Sequence, residues 1–225
     1  MKFSGIQKTS LTDFPGRICS VLFTPGCNLR CPFCHNWRIV VNPQPPFLNE
    51  ETTLKILEER KKYVDAVVVT GGEPTIHKEL PRFLKKLKDR GFAVKLDTNG
   101  LDSHMLEECL QSVDYVALDV KTSLEKYMLL GARDTAELVR AMDILKMGKV
   151  EYEFRTTVVP GFFEPADVCA MSGLVNGARA WALQQFVPGD TLDKSLNALK
   201  PYTPEAMSKY AEGIRNYAEE IILRT

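Results

Sequence analysis

Several features are missing from this chain of 225 residues, and each absence removes a class of function. No apolar run approaches the ~20 residues that a membrane-spanning helix requires. The opening segment MKFSGIQKTSLTDFPG has no continuous apolar stretch of the kind a secretory signal carries, so a cytoplasmic location is expected. Charge of one sign is not in excess: Lys plus Arg number 29, and Asp plus Glu number 29. A polyanion or an anionic membrane as main partner therefore has no electrostatic support. Neither a G-x-S-x-G elbow nor a Walker loop is present, which leaves no motif for a serine hydrolase or a P-loop nucleotidase. No repeat or low-complexity tract interrupts the chain. This length suits one domain with a core of its own, expected here over residues 1–225.

Cysteine is scarce except in one place. Three of the six, Cys27, Cys31 and Cys34, fall within the loop CNLRCPFCHN at C-x3-C-x2-C spacing. In a reducing compartment such a cluster reads as a metal site before it reads as a disulfide. Cys19 and Cys109 sit in apolar surroundings and read as small core residues. A structural zinc ion wants four protein ligands. His35 or a remote cysteine would be the fourth, and His35 directly adjoins Cys34, an awkward position for the same ion. The other reading is a four-iron cluster on three thiolates, with one iron left open for a substrate or cofactor.

Around this loop the sequence alternates between two patterns. Six short apolar or β-branched runs read as strands: 18–23, 66–72, 92–98, 115–120, 152–159 and 181–187. Between them apolar residues recur at helical spacing. One set is Leu54, Ile56, Leu57 and Tyr63. A second is Leu80, Phe83, Leu84 and Leu87, ended by Gly91; a third is Leu138, Ala141, Met142 and Leu145, ended by Gly148. A last helix is expected over 204–223, with Thr203 as N-cap, Pro204 in the first turn, and Met207, Tyr210, Ile214, Tyr217 and Ile221 on its apolar face. Strands alternating with helices predict an α/β fold of parallel βαβ units, curled toward a barrel or laid out as an open sheet. The proline-rich segment 41–50 reads as an extended connection.

The polar motifs fall at strand ends. The cysteine loop, 24–37, follows the first run; GGEP ends the second, DTNG the third, DVK the fourth and VVPG the fifth. Parallel α/β folds build ligand sites at that edge, so one shared site is expected. Gly71 and Gly72 allow close approach of backbone to a ligand, and the Glu73 carboxylate suits a cation. Asp97 and Asp119, on adjacent strand ends, would repel unless a cation or a lysine such as Lys121 lies between them. DTNG is also good turn chemistry. His77 and His104 read as surface residues.

The cysteine spacing, the aromatic Phe33 before the third cysteine, and VTGGEP together resemble the radical S-adenosylmethionine superfamily. SLTDFPGRICSVLFTPGCNLRCPFCHN further resembles the opening of the glycyl-radical-enzyme activases. Within them it is most similar to the short anaerobic ribonucleoside-triphosphate reductase activating proteins, which are related to pyruvate formate-lyase activating enzyme. VKLDTNG, YVALDVK, TTVVPG and LQQFVPGDTLD fit the same group. The resemblance implies a partial (β/α)6 barrel with mainly parallel strands. It implies a [4Fe-4S] cluster on Cys27, Cys31 and Cys34, with S-adenosylmethionine chelating the open iron. It implies that Gly71, Gly72 and Glu73 hold the ammonium of that cofactor, and that Phe33, His35 and Asn36 border the cluster or the adenine. Asp97, Thr98 and Asp119 are implied to build a monovalent-cation site, compensated by Lys121, and Arg155 to point into the site. Phe14 and Trp37 are expected to pack around the cluster loop and help exclude water.

The reaction implied is reductive cleavage of S-adenosylmethionine, driven by one electron from flavodoxin or ferredoxin. The 5′-deoxyadenosyl radical then takes a hydrogen atom from a glycine of a partner, anaerobic ribonucleotide reductase being the first candidate. No cysteines lie between His35 and GGEP, so an inserted ferredoxin-like part is absent and the electron must come from outside. Two functions compete. One is a radical enzyme acting on a small molecule, as in a 7-carboxy-7-deazaguanine synthase-like reaction. The other is a non-catalytic electron-transfer protein. PGDTLDKS, 188–195, follows the sixth strand, where either a small substrate or a partner loop would meet it.

Overall fold

The six apolar runs form strands, and all six lie parallel. The computed structural model describes residues 1–225. Its first half runs β1 (Lys2–Phe3), β2 (Gly5–Ser10), β3 (Cys19–Thr24), α1 (Trp37–Val41), β4 (Leu48–Asn49), α2 (Glu50–Arg60), β5 (Ala66–Gly71), α3 (Leu80–Asp89), β6 (Ala93–Thr98) and α4 (Ser103–Cys109). The second half runs β7 (Tyr115–Asp119), α5 (Ala136–Lys146), β8 (Glu151–Val158), α6 (Pro165–Val175), β9 (Ala178–Gln185), α7 (Pro204–Ile214) and β10 (Ala218–Arg224). The main sheet has the order β10-β9-β8-β7-β6-β5-β3-β2. Each of the six central strands is followed by a helix, which gives the partial (β/α)6 barrel. None of the helices is long and apolar enough to cross a membrane.

Alternation along the strands sorts the side chains into two faces. Val94, Leu96, Val116, Leu118, Phe154 and Leu183 are fully buried in the core beneath the helices. Lys95, Asp97, Asp119, Glu153 and Arg155 take the intervening positions and point into the barrel. The helices follow their apolar periods. In α3, Leu80, Phe83, Leu84 and Leu87 form one fully buried stripe, each burial contributing roughly 1.5–3 kcal/mol. Pro81 sits in its first turn, and Gly91 leaves its end at φ +78°. Thr203 caps α7 by accepting from the Ala206 amide.

Three expectations need correction, and one strand was not foreseen. The last helix stops at Ile214, and 218–224 form β10, parallel to β9. The i, i+3, i+4 series through Tyr217 and Ile221 continues the helical pattern by coincidence. Pairing with β9, and the reach of Arg224 to the buried Glu153, outweigh it. An unexpected strand, β2, pairs antiparallel with β3 and closes the other edge. Tyr63 lies beyond α2 and is exposed. Phe14 packs with Cys19, Val21, Ala66 and Val68, at the amino-terminal half of the strands, so it does not shield the cysteine loop. Cys19 and Cys109 are fully buried, as their apolar surroundings imply.

Candidate active site

The loop after β3 is held by backbone at several points. Gly26 N donates to Ile39 O at 2.7 Å, Arg30 N to Leu130 O at 2.7 Å, and Asp193 N to Pro32 O at 2.8 Å. Leu192 N donates to Cys34 O at 3.1 Å, so the segment after β9 clamps the loop from outside. Cys31 is buried, while Cys27 and Cys34 are half-buried. All three thiols line one cavity of ≈ 390 Å³. Burial pushes Cys27 and Cys31 up to about 11 and raises Cys34; the charge of Lys121 opposes this at all three. Binding iron must therefore displace protons from thiols that favour holding them.

The ends of β5, β6, β7 and β8 supply the remaining wall. Phe33, His35, Asn36, Gly71, Gly72, Glu73, Asp97, Thr98, Asp119, Lys121 and Arg155 line the same cavity as the cysteines. Its volume falls in the range of small-molecule sites. The two glycines line the cavity and also pack against the protein's own backbone. Gly71 has φ +113°, and a Cβ on it would stand 2.4 Å from Thr24 N. Glu73 N donates to Gly26 O at 2.8 Å, which ties GGEP to the cysteine loop.

Glu73 is buried and well supplied with donors. Its Oε1 accepts from Thr75 N at 3.0 Å, Thr75 Oγ1 at 2.6 Å and Thr98 Oγ1 at 2.7 Å. Its Oε2 accepts only from Asn99 N, at 2.7 Å, and keeps capacity for another donor. Burial raises its pKa, and these hydrogen bonds offset part of that rise.

Opposite charges alternate along the strand ends. Lys95 Nζ donates to Asp97 Oδ1 at 2.6 Å, and Arg155 Nη1 to Asp97 Oδ2 at 3.2 Å. Arg155 Nε donates to Asp119 Oδ1 at 2.7 Å, and Lys121 Nζ to Asp119 Oδ2 at 3.0 Å. Burial disfavours the charge on both aspartates. Lys95 and Arg155 outweigh it at Asp97, and Arg155 and Lys121 at Asp119, so both stay below the usual carboxylate range. The residue between the two carboxylates is thus Arg155. Each of these oxygens keeps a second lone pair, but a monovalent metal ion placed there would sit against Lys95, Arg155 or Lys121, so the charge of the set does not fit the expected cation site.

The other expected residues have structural contacts as well. Phe33 packs edge-on to Phe162, with ring centroids 5.3 Å apart, and His35 edge-on to Phe186 at 6.1 Å. Asn36 Nδ2 donates to Gly71 O at 2.9 Å. Trp37 Nε1 donates to Asp190 Oδ1 at 3.2 Å, joining the loop to 188–195, with Lys194 Nζ 4.2 Å from its ring centroid. His104 is exposed. His77 is only half-exposed and bonds Pro25 O at 2.9 Å, next to the cysteine loop. Sequence reasoning missed Lys95, Asn99, Thr157, Gln184 and Gln185. Lys95 had a visible signal, a charge two residues before Asp97 inside an apolar strand. Asn99 donates to Asn28 Oδ1 at 2.7 Å, a contact that only the fold creates.

This donor set fits a cluster with an open iron. Three thiols share a cavity with a ligand wall, the number that holds a four-iron cluster with one iron left open.

Comparison with known proteins gives the same answer. Residues 21–165 match the model of the Radical SAM superfamily. The chain is 31% identical over 231 residues to the "Putative glycyl-radical enzyme activating enzyme MJ1227" of Methanocaldococcus jannaschii, covering 99% of this chain and 95% of that one. It is 30% identical over 179 residues to the pyruvate formate-lyase-activating enzyme of Staphylococcus aureus, covering 72% and 70%. In fold it is similar to QueE from Escherichia coli, with a TM-score of 0.62 at 18% identity, over all of this chain and 93% of that one. Membership implies a [4Fe-4S] cluster and S-adenosylmethionine as cofactors. With the cysteine loop, the parallel strands and the matched segment in agreement, the chain belongs to the radical S-adenosylmethionine superfamily of enzymes.

Proposed function

We propose that this enzyme is a glycyl-radical-enzyme activase. It cleaves S-adenosylmethionine reductively at a cluster held by Cys27, Cys31 and Cys34 and removes a hydrogen atom from a glycine of a partner protein. The observation that carries this reading is one cavity lined by three thiols, Glu73 and the Arg155–Asp119–Lys121 group. The names of relatives that align over most of the chain point to a glycyl radical enzyme as partner. Anaerobic ribonucleotide reductase is the first candidate, and flavodoxin or ferredoxin the candidate electron donor. Residues 1–225 act as a single domain.

When bound, the cluster and S-adenosylmethionine together supply the carbon radical that does the hard chemistry. The chain's own residues bind, orient and exclude water. Glu73 Oε2 has room for an ammonium donor. Lys121 and Arg155 present positive charge to a carboxylate. Buried Leu29 and Phe33 keep part of the cavity dry. Exposed His35, Asn36 and Val187 line its mouth, where a glycine-bearing loop would enter.

A second reading, an enzyme acting on a small molecule, draws on Thr157, Gln184 and Gln185. These uncharged hydrogen-bonding side chains line the same cavity. One experiment separates the two. The protein is reconstituted anaerobically with iron and sulfide, reduced with dithionite and given S-adenosylmethionine, with or without anaerobic ribonucleotide reductase. The activase reading expects 5′-deoxyadenosine together with a glycyl-radical EPR doublet on the partner. Cleavage with no doublet on any glycyl radical enzyme offered would favour the small-molecule reading. No cleavage from a fully loaded cluster would favour an electron-transfer role.

A further inference from the structure

Lys95 is a buried charge for which the proposed reaction has no use. Its side chain is 2% exposed, on the inner face of β6. Its one hydrogen-bond acceptor is Asp97 Oδ1, and its ammonium lies 6.0 Å from the centroid of the Tyr115 ring. An ammonium so buried persists only beside a partner charge. Lys95 and Asp97 are neighbours on one strand face, so backbone geometry alone keeps them together.

The four carboxylate oxygens of Asp97 and Asp119 are each met by one charged donor. Lys95 and Arg155 meet those of Asp97; Arg155 and Lys121 meet those of Asp119. Three cations face two carboxylates, and the one positive charge left over matches the single carboxylate of the ligand. A metal cation added to the group would upset that balance, in a place where like charges are poorly screened. On Asp97 Oδ1 it would also sit directly beside the Lys95 ammonium.

We propose that Lys95 is a built-in cation that stands in for the alkali-metal ion implied by the sequence resemblance. Asp97 is pinned by the chain's own ammonium, and S-adenosylmethionine binds without potassium or sodium. Lys95 is a positioning residue, acting through Asp97 on the Arg155 end of the ligand wall. The proposal rests on the radical S-adenosylmethionine reading of the cavity.

The test compares wild type with Lys95→Met, both reconstituted to equal iron content. Each is titrated with S-adenosylmethionine in potassium chloride and in choline chloride of equal ionic strength. Wild type is expected to give the same Kd in both salts, within about twofold. Lys95→Met should bind roughly tenfold more weakly in choline, and potassium should restore most of the loss. Lys95→Arg keeps the charge and should stay indifferent to the salt.

A readout free of turnover is the melting temperature of the iron-free chains. Potassium in place of choline should leave wild type unchanged and raise Lys95→Met. Wild type that binds more tightly or melts higher in potassium overturns the proposal. So does a Lys95→Met protein equally weak in both salts. If Lys95→Met does not fold, the wild-type and Lys95→Arg comparisons still decide. Failure of the parent reading would appear separately, as a loaded cluster with no cleavage in either salt.

Discussion

A Cβ placed on Gly72 would stand 1.7 Å from the carbonyl oxygen of Gly26. The second motif and the cysteine loop are therefore in backbone contact, and Glu73 N donates to that same oxygen. Gly72→Ala must push the two loops apart, and overpacking of this kind costs about 1–3 kcal/mol. The expected result is a melting temperature lower by roughly 2–12 °C, at about 2–4 °C per kcal/mol for a chain of this size. Iron retained per chain after reconstitution should also fall. Melting and iron content equal to wild type would show that the contact is slack.

Cys27→Ser, Cys31→Ser and Cys34→Ser are each expected to lose the cluster, measured as iron and sulfide per chain after gel filtration. Cys109→Ala is the control. That thiol is fully buried away from the cavity, so the variant should keep its iron and lose about 1 kcal/mol of stability through packing. Full iron content in Cys31→Ser would refute the three-thiolate assignment.

Asp97 predicts an acid limb in the stability profile. Its folded pKa is depressed, and an unfolded aspartate protonates near pH ~3.9. Its stabilisation is therefore complete above about pH 4 and is lost as pH falls toward the folded value, because the unfolded chain then binds more protons. Urea denaturation of the iron-free chain between pH 3 and 7 should show a shallower acid fall in Asp97→Asn than in wild type. At neutral pH the same variant leaves Lys95 unpaired and should be less stable by roughly 3–5 kcal/mol. Parallel acid limbs would remove Asp97 as a source of the slope.

Arg224 tests the last strand. Both its terminal nitrogens reach Glu153, which is fully buried, at 2.9 and 2.5 Å. Arg224→Ala is expected to cost roughly 3–5 kcal/mol, since it leaves a buried carboxylate without its cation. Adding Glu153→Gln should recover part of the loss, and a double-mutant cycle by urea denaturation measures the coupling. Coupling near zero would mean that the carboxylate is satisfied elsewhere.

Much of the site is local in origin. Cys27, Cys31 and Cys34 stand on one loop, and a strand brings its carboxyl end to the site whichever helix covers it. Glu73, Asp97 and Asp119 were therefore legible at strand ends, whereas Arg155, inside β8, came from the family resemblance. Thr203 and Pro204 marked the start of α7 for a similar reason, because caps are read within one turn. What each residue contacts was less legible. Gly72 was expected to serve a ligand; it lines the cavity and also meets Gly26, a contact that spacing could not show. A metal ion was expected between Asp97 and Asp119, and Arg155 lies there. Cross-strand partners come from strands that are far apart in sequence.

By itself the sequence determined the alternation of six parallel strands with helices, the three-thiol loop and the edge where the site forms. Those features depend on periodicity and short spacing, which neighbouring residues set. Only the tertiary structure decided that 218–224 pair with β9, that β2 closes the opposite edge, and that Lys95 points inward to Asp97. Each depends on burial and charge pairing between segments brought together by folding. Helical periodicity at Tyr217 and Ile221 cannot register the pull of a buried Glu153 some seventy residues away, which the pairing Arg224–Glu153 supplies.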